Sequence, residues 1–90
     1  MLEALRNPRG IAIIGASREE GKLGHAVLRS LIESGYRGRI YPVNPNADYI
    51  LGHKAYPSVL DCPGEVDLAV ILIPARLVAA ALEECGRKGT

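Results

Sequence analysis

The sequence is nearly without aromatic side chains: it has no Trp and no Phe, and its only aromatic rings beyond two histidines are four tyrosines. The core must therefore be built from Ile, Leu, Val and Ala, a composition that suits a buried parallel sheet covered by helices. Charge of one sign is also missing. Eleven Lys and Arg against ten Asp and Glu leave a formal net charge of +1, with no basic stripe, so no nucleic-acid partner is expected. The longest apolar run, Leu68 to Ala75, falls far short of the roughly 20 residues that cross a bilayer, so no membrane partner is expected either. Met1-Leu2-Glu3-Ala4-Leu5-Arg6 has no basic segment followed by an apolar stretch, so no secretory signal is read there. The two cysteines, Cys62 and Cys85, stand outside any CxxC pattern and are read as reduced packing thiols of a cytoplasmic protein.

What is present is enough for one domain. Hydrophobic residues make up 48% of 90 residues, too many for a disordered chain. Residues 1–9 read as a short helix or lead-in ending at Asn7-Pro8. Ile11-Ala12-Ile13-Ile14 is a short Ile-rich run, hence a buried strand, and it ends at Gly15. A polar loop through Lys22 follows. A helix is then expected over Leu23–Ser34, with Gly24, Val27, Leu28 and Leu31 on one buried stripe and Gly35 as its stop. Arg39–Val43 reads as a second strand, with Pro42 favouring an edge position or the strand's end. Asn44-Pro45-Asn46 is a turn, Lys54–Tyr56 a minor strand, and Pro57-Ser58 opens one helical turn through Leu60. Ala69–Ile73 is the clearest buried strand, ended by Pro74. A last helix over Arg76–Cys85 carries Val78, Ala81, Leu82 and Cys85 as its buried stripe and closes at Gly86. Strands alternating with helices argue for an α/β fold, Rossmann-like, with a mainly parallel sheet flanked by helices. The chain stops where another strand would normally start. Residues 1–90 are therefore read as one domain, truncated at its C-terminus and forming the N-terminal part of a larger protein.

The loop after the first strand carries the chemistry. A strand ending in glycine and leading into a helix gathers backbone N–H groups beside a partial positive charge, which makes an anion site. Three ligand motifs can be tested by spacing. Five residues separate Gly15 from Gly21-Lys22, and Leu23 follows, whereas a Walker A loop needs four and then Ser or Thr. The dinucleotide fingerprint needs a middle glycine and an acid after the second strand; here Ser17 and Val43-Asn44-Pro45 stand in those places. That leans away from NAD. NADP stays open because Arg37 and Arg39 are close by in sequence. A G-x-S-x-G elbow is absent, which speaks against Ser17 as a triad nucleophile.

Five motifs follow one another in a fixed order: Ile13-Ile14-Gly15-Ala16-Ser17, Gly21-Lys22-Leu23-Gly24, Tyr41-Pro42-Val43-Asn44-Pro45, Gly52 to Ser58, and Asp67 to Ala75. In this order the chain resembles the CoA-binding domains that open NDP-forming acyl-CoA synthetases, including ADP-forming acetyl-CoA synthetases and the alpha subunit of succinyl-CoA synthetase. A similar domain opens some bacterial protein lysine acetyltransferases. The resemblance implies coenzyme A or acyl-CoA as ligand. It places Gly15, Ala16, Ser17 and Arg18 around the CoA phosphates, Val43, Asn44 and Pro45 beside the nucleotide end with Lys54 near it, and Ile73, Pro74 and Ala75 along the pantetheine arm. It further implies a ligase built with other domains or subunits. The phosphorylated histidine of that family lies in the next domain, and no match for its motif is found here.

Other residues have plainer readings. Lys22 is either a phosphate contact or a surface charge. His25 is read chiefly as a partly exposed helix residue, with a touch on the ligand loop as the alternative. His53 is a solvated turn residue, Glu19-Glu20 and Glu83-Glu84 are solvated faces, and Tyr41 and Tyr56 are packing residues. Neither histidine has partners at metal-ligand spacing, so no metal site is expected. The expected function is coenzyme A binding through the Gly-Ala-Ser loop, with no chemistry by this chain alone. The rivals are an NAD(P)-binding fragment of an oxidoreductase and a regulatory α/β domain without a nucleotide.

Overall fold

The computed structural model describes residues 8–90, so most of the lead-in expected over 1–9 lies outside it. Strand β1 (Gly10–Ile14) forms the middle of a three-stranded parallel sheet, between β2 (Arg39–Val43) and β5 (Leu68–Ile71). Its register pairs Ile13 with Pro42 on one side and with Val70 on the other. All five residues of β1 are buried. Because successive side chains alternate across a sheet, Ile11 and Ile13 face one way, against Leu28 of helix α1 (Leu23–Glu33). Ala12 and Ile14 face the other, with Ala81 and Cys85 of helix α2 (Ala75–Lys88). The helices therefore cover opposite faces, as expected of an α/β fold.

Between β2 and β5 the chain forms a two-residue ribbon, β3 (Tyr49–Ile50) against β4 (His53–Lys54), and a 3₁₀ turn over Val59–Asp61. Ser58 caps that turn by accepting the Leu60 N–H at 3.1 Å, in accord with the expected helical turn. The minor strand differs from expectation: His53–Lys54 forms the ribbon, while Tyr56 makes an isolated parallel bridge to Val43. Pro42 sits within β2, and its carbonyl accepts the Tyr56 N–H at 2.9 Å on the side away from β1. A residue's N–H and C=O point to the same side of a strand. The N–H that proline lacks is thus on the outer side, and the β1 ladder loses nothing.

Three expectations need correction. Helix α2 runs past Gly86 and ends at Gly89, whose φ of 91° gives the left-handed cap that glycine adopts at little cost. Leu82 is 57% exposed, so the buried face of α2 is Ala81 and Cys85 without it. Strand β5 is shorter than expected and only partly buried, because it pairs on one side alone among the described residues.

At the amino edge of the sheet, Arg9 clamps Asp67. Its backbone N–H and Nε donate to Oδ2 at 2.8 and 3.2 Å, and a second guanidinium nitrogen reaches Oδ1. These bonds hold the Asp67 carboxyl below its ordinary value of 3.8. Tyr41 and Tyr56 pack edge to face, with ring centroids 5.7 Å apart.

Candidate ligand-binding cleft

The strand order β2-β1-β5 means that the chain leaves β1 in one direction and later returns on its other side. In an open α/β sheet, that reversal opens a crevice at the carboxyl ends of the strands. A cleft of about 660 Å³ lies there, lined by Gly15, Ala16, Ser17 and Lys22 after β1, Val43, Asn44 and Pro45 at the end of β2, and Ile73 and Pro74 after β5. These are most of the residues the sequence pointed to. Arg18 is exposed and does not line the cleft, and neither does Lys54. Lys54 instead holds its Nζ 5.9 Å from the ring centroids of both Tyr49 and Tyr56, a cation–π position. Arg39 is also displaced: it opens β2, and Asn44 follows that strand's other end, about 16 Å away. It supplies no charge to the cleft; its guanidinium lies instead near the Tyr41 hydroxyl, which raises its pKa above the ordinary value.

The loop is built so that its carbonyls point into the protein. Gly15 has a φ of 100°, and a side chain there would strike the Leu72 carbonyl. Gly24, on the first turn of α1, lies against the Gly15 carbonyl so closely that a Cβ has no room. The Ala16 carbonyl accepts Asn44 Nδ2 at 2.9 Å, and the Ser17 carbonyl lies 2.9 Å from His25 Nδ1. A trans peptide holds its C=O and the following N–H in opposite directions. Fixing these two carbonyls therefore turns the N–H groups of Ser17 and Arg18 the other way, and neither makes a hydrogen bond to a described residue. The Ser17 hydroxyl accepts the Glu19 N–H at 3.1 Å and keeps its own proton to donate. Helices α1 and α2 both start beside this edge with no side-chain cap and no acid in the first turn, so their positive ends are uncompensated.

The resemblance places Asn44 beside the nucleotide end. Both ends of its side-chain amide are used within the protein: Nδ2 on Ala16 and Oδ1 on the Asn46 N–H at 2.7 Å. His25, expected to be partly exposed, is 6% exposed and does touch the loop. Glu84, expected to be solvated, accepts the Ser58 hydroxyl at 2.7 Å and lines the far part of the cleft with Leu77 and Ala80 of α2. It lies ten residues beyond Pro74, about 15 Å along the helix. The wall formed by Leu77, Ala80 and Ala81 is apolar. Cys62 and Cys85 are free and buried; burial pushes the Cys62 thiol up to about 11, so it is neutral and unreactive at neutral pH. Among the described residues, no group of three His, Cys, Asp or Glu side chains is placed to hold a metal ion, and no helix is long and apolar enough to cross a membrane.

A parallel α/β sheet with an amide-lined crevice at its switch point defines a nucleotide-type ligand-binding domain. The family comparison makes this specific: the CoA binding domain model matches residues 9–90, and the chain belongs to that family. It is 53% identical to the alpha subunit of an ADP-forming acetate–CoA ligase I from Pyrococcus furiosus over 98% of this chain. It is 51% identical to an ADP-forming acetate–CoA ligase II from Archaeoglobus fulgidus, also over 98%. The chain spans 20% and 13% of those two relatives. Among solved structures, it matches the dinucleotide-forming acetyl-coenzyme A synthetase 1 of Ca. Korarchaeum cryptofilum in complex with phosphate and ADP. The TM-score is 0.95 at 45% identity, over 99% of this chain and 19% of that one. The resemblance carried by the five sequence motifs therefore holds.

Proposed function

We propose that this chain binds coenzyme A or acyl-CoA in the cleft, with the pyrophosphate against the N–H groups of Ser17 and Arg18, and serves as the CoA-binding module of an ADP-forming acyl-CoA ligase. The observation that carries this reading is the clamped loop: the carbonyls of residues 15 to 17 are held inside, leaving two amides unbonded beside Lys22 and two helix N-termini. An anion is stabilised by such a group. Gly15, Ala16 and the Ser17 hydroxyl complete the phosphate end. Val43 and Pro45 flank the nucleotide, and Asn44 shapes the loop. The apolar wall of α2, entered past Ile73 and Pro74, suits the pantetheine arm. Glu84 sits at the end of that wall, where a carboxylate repels phosphate and favours the orientation with phosphates at the loop. Arg18 follows the lining residue Ser17, so its N–H would meet the pyrophosphate at the exposed mouth of the cleft, and Lys54 would act on the ligand from that same side. Further domains or subunits supply the reaction, in a reducing, cytoplasmic setting compatible with two free thiols.

Calorimetric titration with coenzyme A, dephospho-CoA and NAD tests the reading. Coenzyme A is expected to bind most tightly, and tight NAD binding without coenzyme A binding would overturn it. Ser17→Glu sets a carboxylate against the phosphates and is expected to weaken coenzyme A by more than about tenfold with an unchanged circular dichroism spectrum. Equal affinity would remove the loop from the site.

A further inference from the structure

We infer that His25 is a positioning residue for the ligand loop, fixed by Arg29 in the tautomer protonated on Nδ1, and that it acts through the Ser17 carbonyl to aim the Arg18 N–H. The inference rests on the coenzyme A reading above. His25 is the buried polar side chain of the described core, 6% exposed. Its Nδ1 lies 2.9 Å from the Ser17 carbonyl oxygen, which can only accept, so Nδ1 carries a proton. Its Nε2 lies 3.1 Å from a guanidinium nitrogen of Arg29, which can only donate, so Nε2 carries none. Arg29 is held in turn by the Glu20 carboxylate at 3.5 Å. Glu20 belongs to the loop itself, so the circuit runs from loop to helix and back.

This circuit has a directional effect that packing alone lacks. The Ser17 carbonyl, released, would be free to rotate toward the cleft and set its negative end against a phosphate. Drawn onto His25, it turns the Arg18 N–H of the same peptide the opposite way. The other histidine tautomer would offer a lone pair to the carbonyl and an N–H to the guanidinium, losing both bonds.

The test uses the whole chain and the variants His25→Leu, His25→Asn and Arg29→Met. Nitrogen-15 spectra of the wild type are expected to show a protonated Nδ1 and a bare Nε2 on His25. The leucine keeps the volume but not the donor and is expected to weaken coenzyme A about tenfold, the loss of one hydrogen bond. The asparagine, whose amide can donate to Ser17, is expected to stay within about threefold of wild type. A packing role predicts the reverse ranking and would overturn the inference. Arg29→Met changes an exposed side chain and guards against a leucine variant that does not fold; it is expected to mix the two tautomers and shift the Arg18 amide resonance. An unmixed tautomer with an unmoved Arg18 amide would also overturn it. If the wild type binds no coenzyme A, the binding reading fails, but the tautomer and the Arg18 resonance still decide the positioning claim.

Discussion

Helices α1 and α2 both line the sheet, yet they are packed in opposite styles. Helix α1 meets the loop backbone to backbone at Gly24 and buries Leu28 completely. Helix α2 touches the core through small residues, Ala81 and Cys85, and leaves Leu77 and Leu82 44% and 57% exposed. The same sheet thus carries one wall fixed by close backbone approach and one seated through small side chains. On the proposed reading, the first wall adjoins the loop whose amides must keep their direction, and the second faces the apolar part of the cleft, where the pantetheine arm would lie.

Single substitutions can break or sharpen this contrast. The largest effect is expected from Leu28→Ala, which empties a fully buried site and should cost about 3 kcal/mol in urea unfolding. Gly24→Ala should cost about 2 kcal/mol by the same measurement, because its Cβ meets the Gly15 carbonyl, and should weaken coenzyme A as well. The matching change on α2, Gly86→Ala, has open space and should raise stability by about 0.7 kcal/mol. Leu82→Ala should change stability by less than about 0.5 kcal/mol. A cost for Leu82→Ala equal to that of Leu28→Ala would abolish the distinction between the helices. The smallest effect concerns the Arg9–Asp67 clamp at the opposite edge of the sheet. Asp67 has its carboxyl held below 3.8 in the folded chain, so its contribution is complete above that value and is lost as the pH falls below it. Acid unfolding of Asp67→Asn should accordingly show a shallower pH dependence than wild type over that range.

Much of this fold could be read from the sequence because period and composition agree. The Ile-rich run of β1, the strand Arg39–Val43 and the stripe through Gly24 and Leu28 each point to one element. The cleft followed from the same logic, since strand ends mark where it opens. The misses share a physical cause. Gly86 looked like a stop, but a helix ends where its carbonyls find other donors, and here Gly89 turns left-handed so that the Thr90 N–H reaches the Cys85 carbonyl at 2.9 Å and the Gly89 N–H the Gly86 carbonyl at 3.2 Å. Leu82 carries the right period, but α2 meets the sheet through Ala81 and Cys85 and leaves Leu82 57% exposed. The roles of Asn44 and His25 depend on which backbone carbonyls lie opposite them, and a side-chain pattern holds no record of that. Glu84 was hidden because its partner, Ser58, lies 26 residues away.

Pro42 and the Tyr56 bridge have a consequence for self-association. Beyond β2, the outer rim of the sheet offers one proline without a donor and a neighbouring segment already engaged at Tyr56. A foreign strand cannot zip onto that margin. Among the described residues the opposite margin, at β5, has no such guard. Any lengthening of the sheet, whether by more of the same polypeptide or by an unwanted copy in a concentrated solution, is therefore steered to one side.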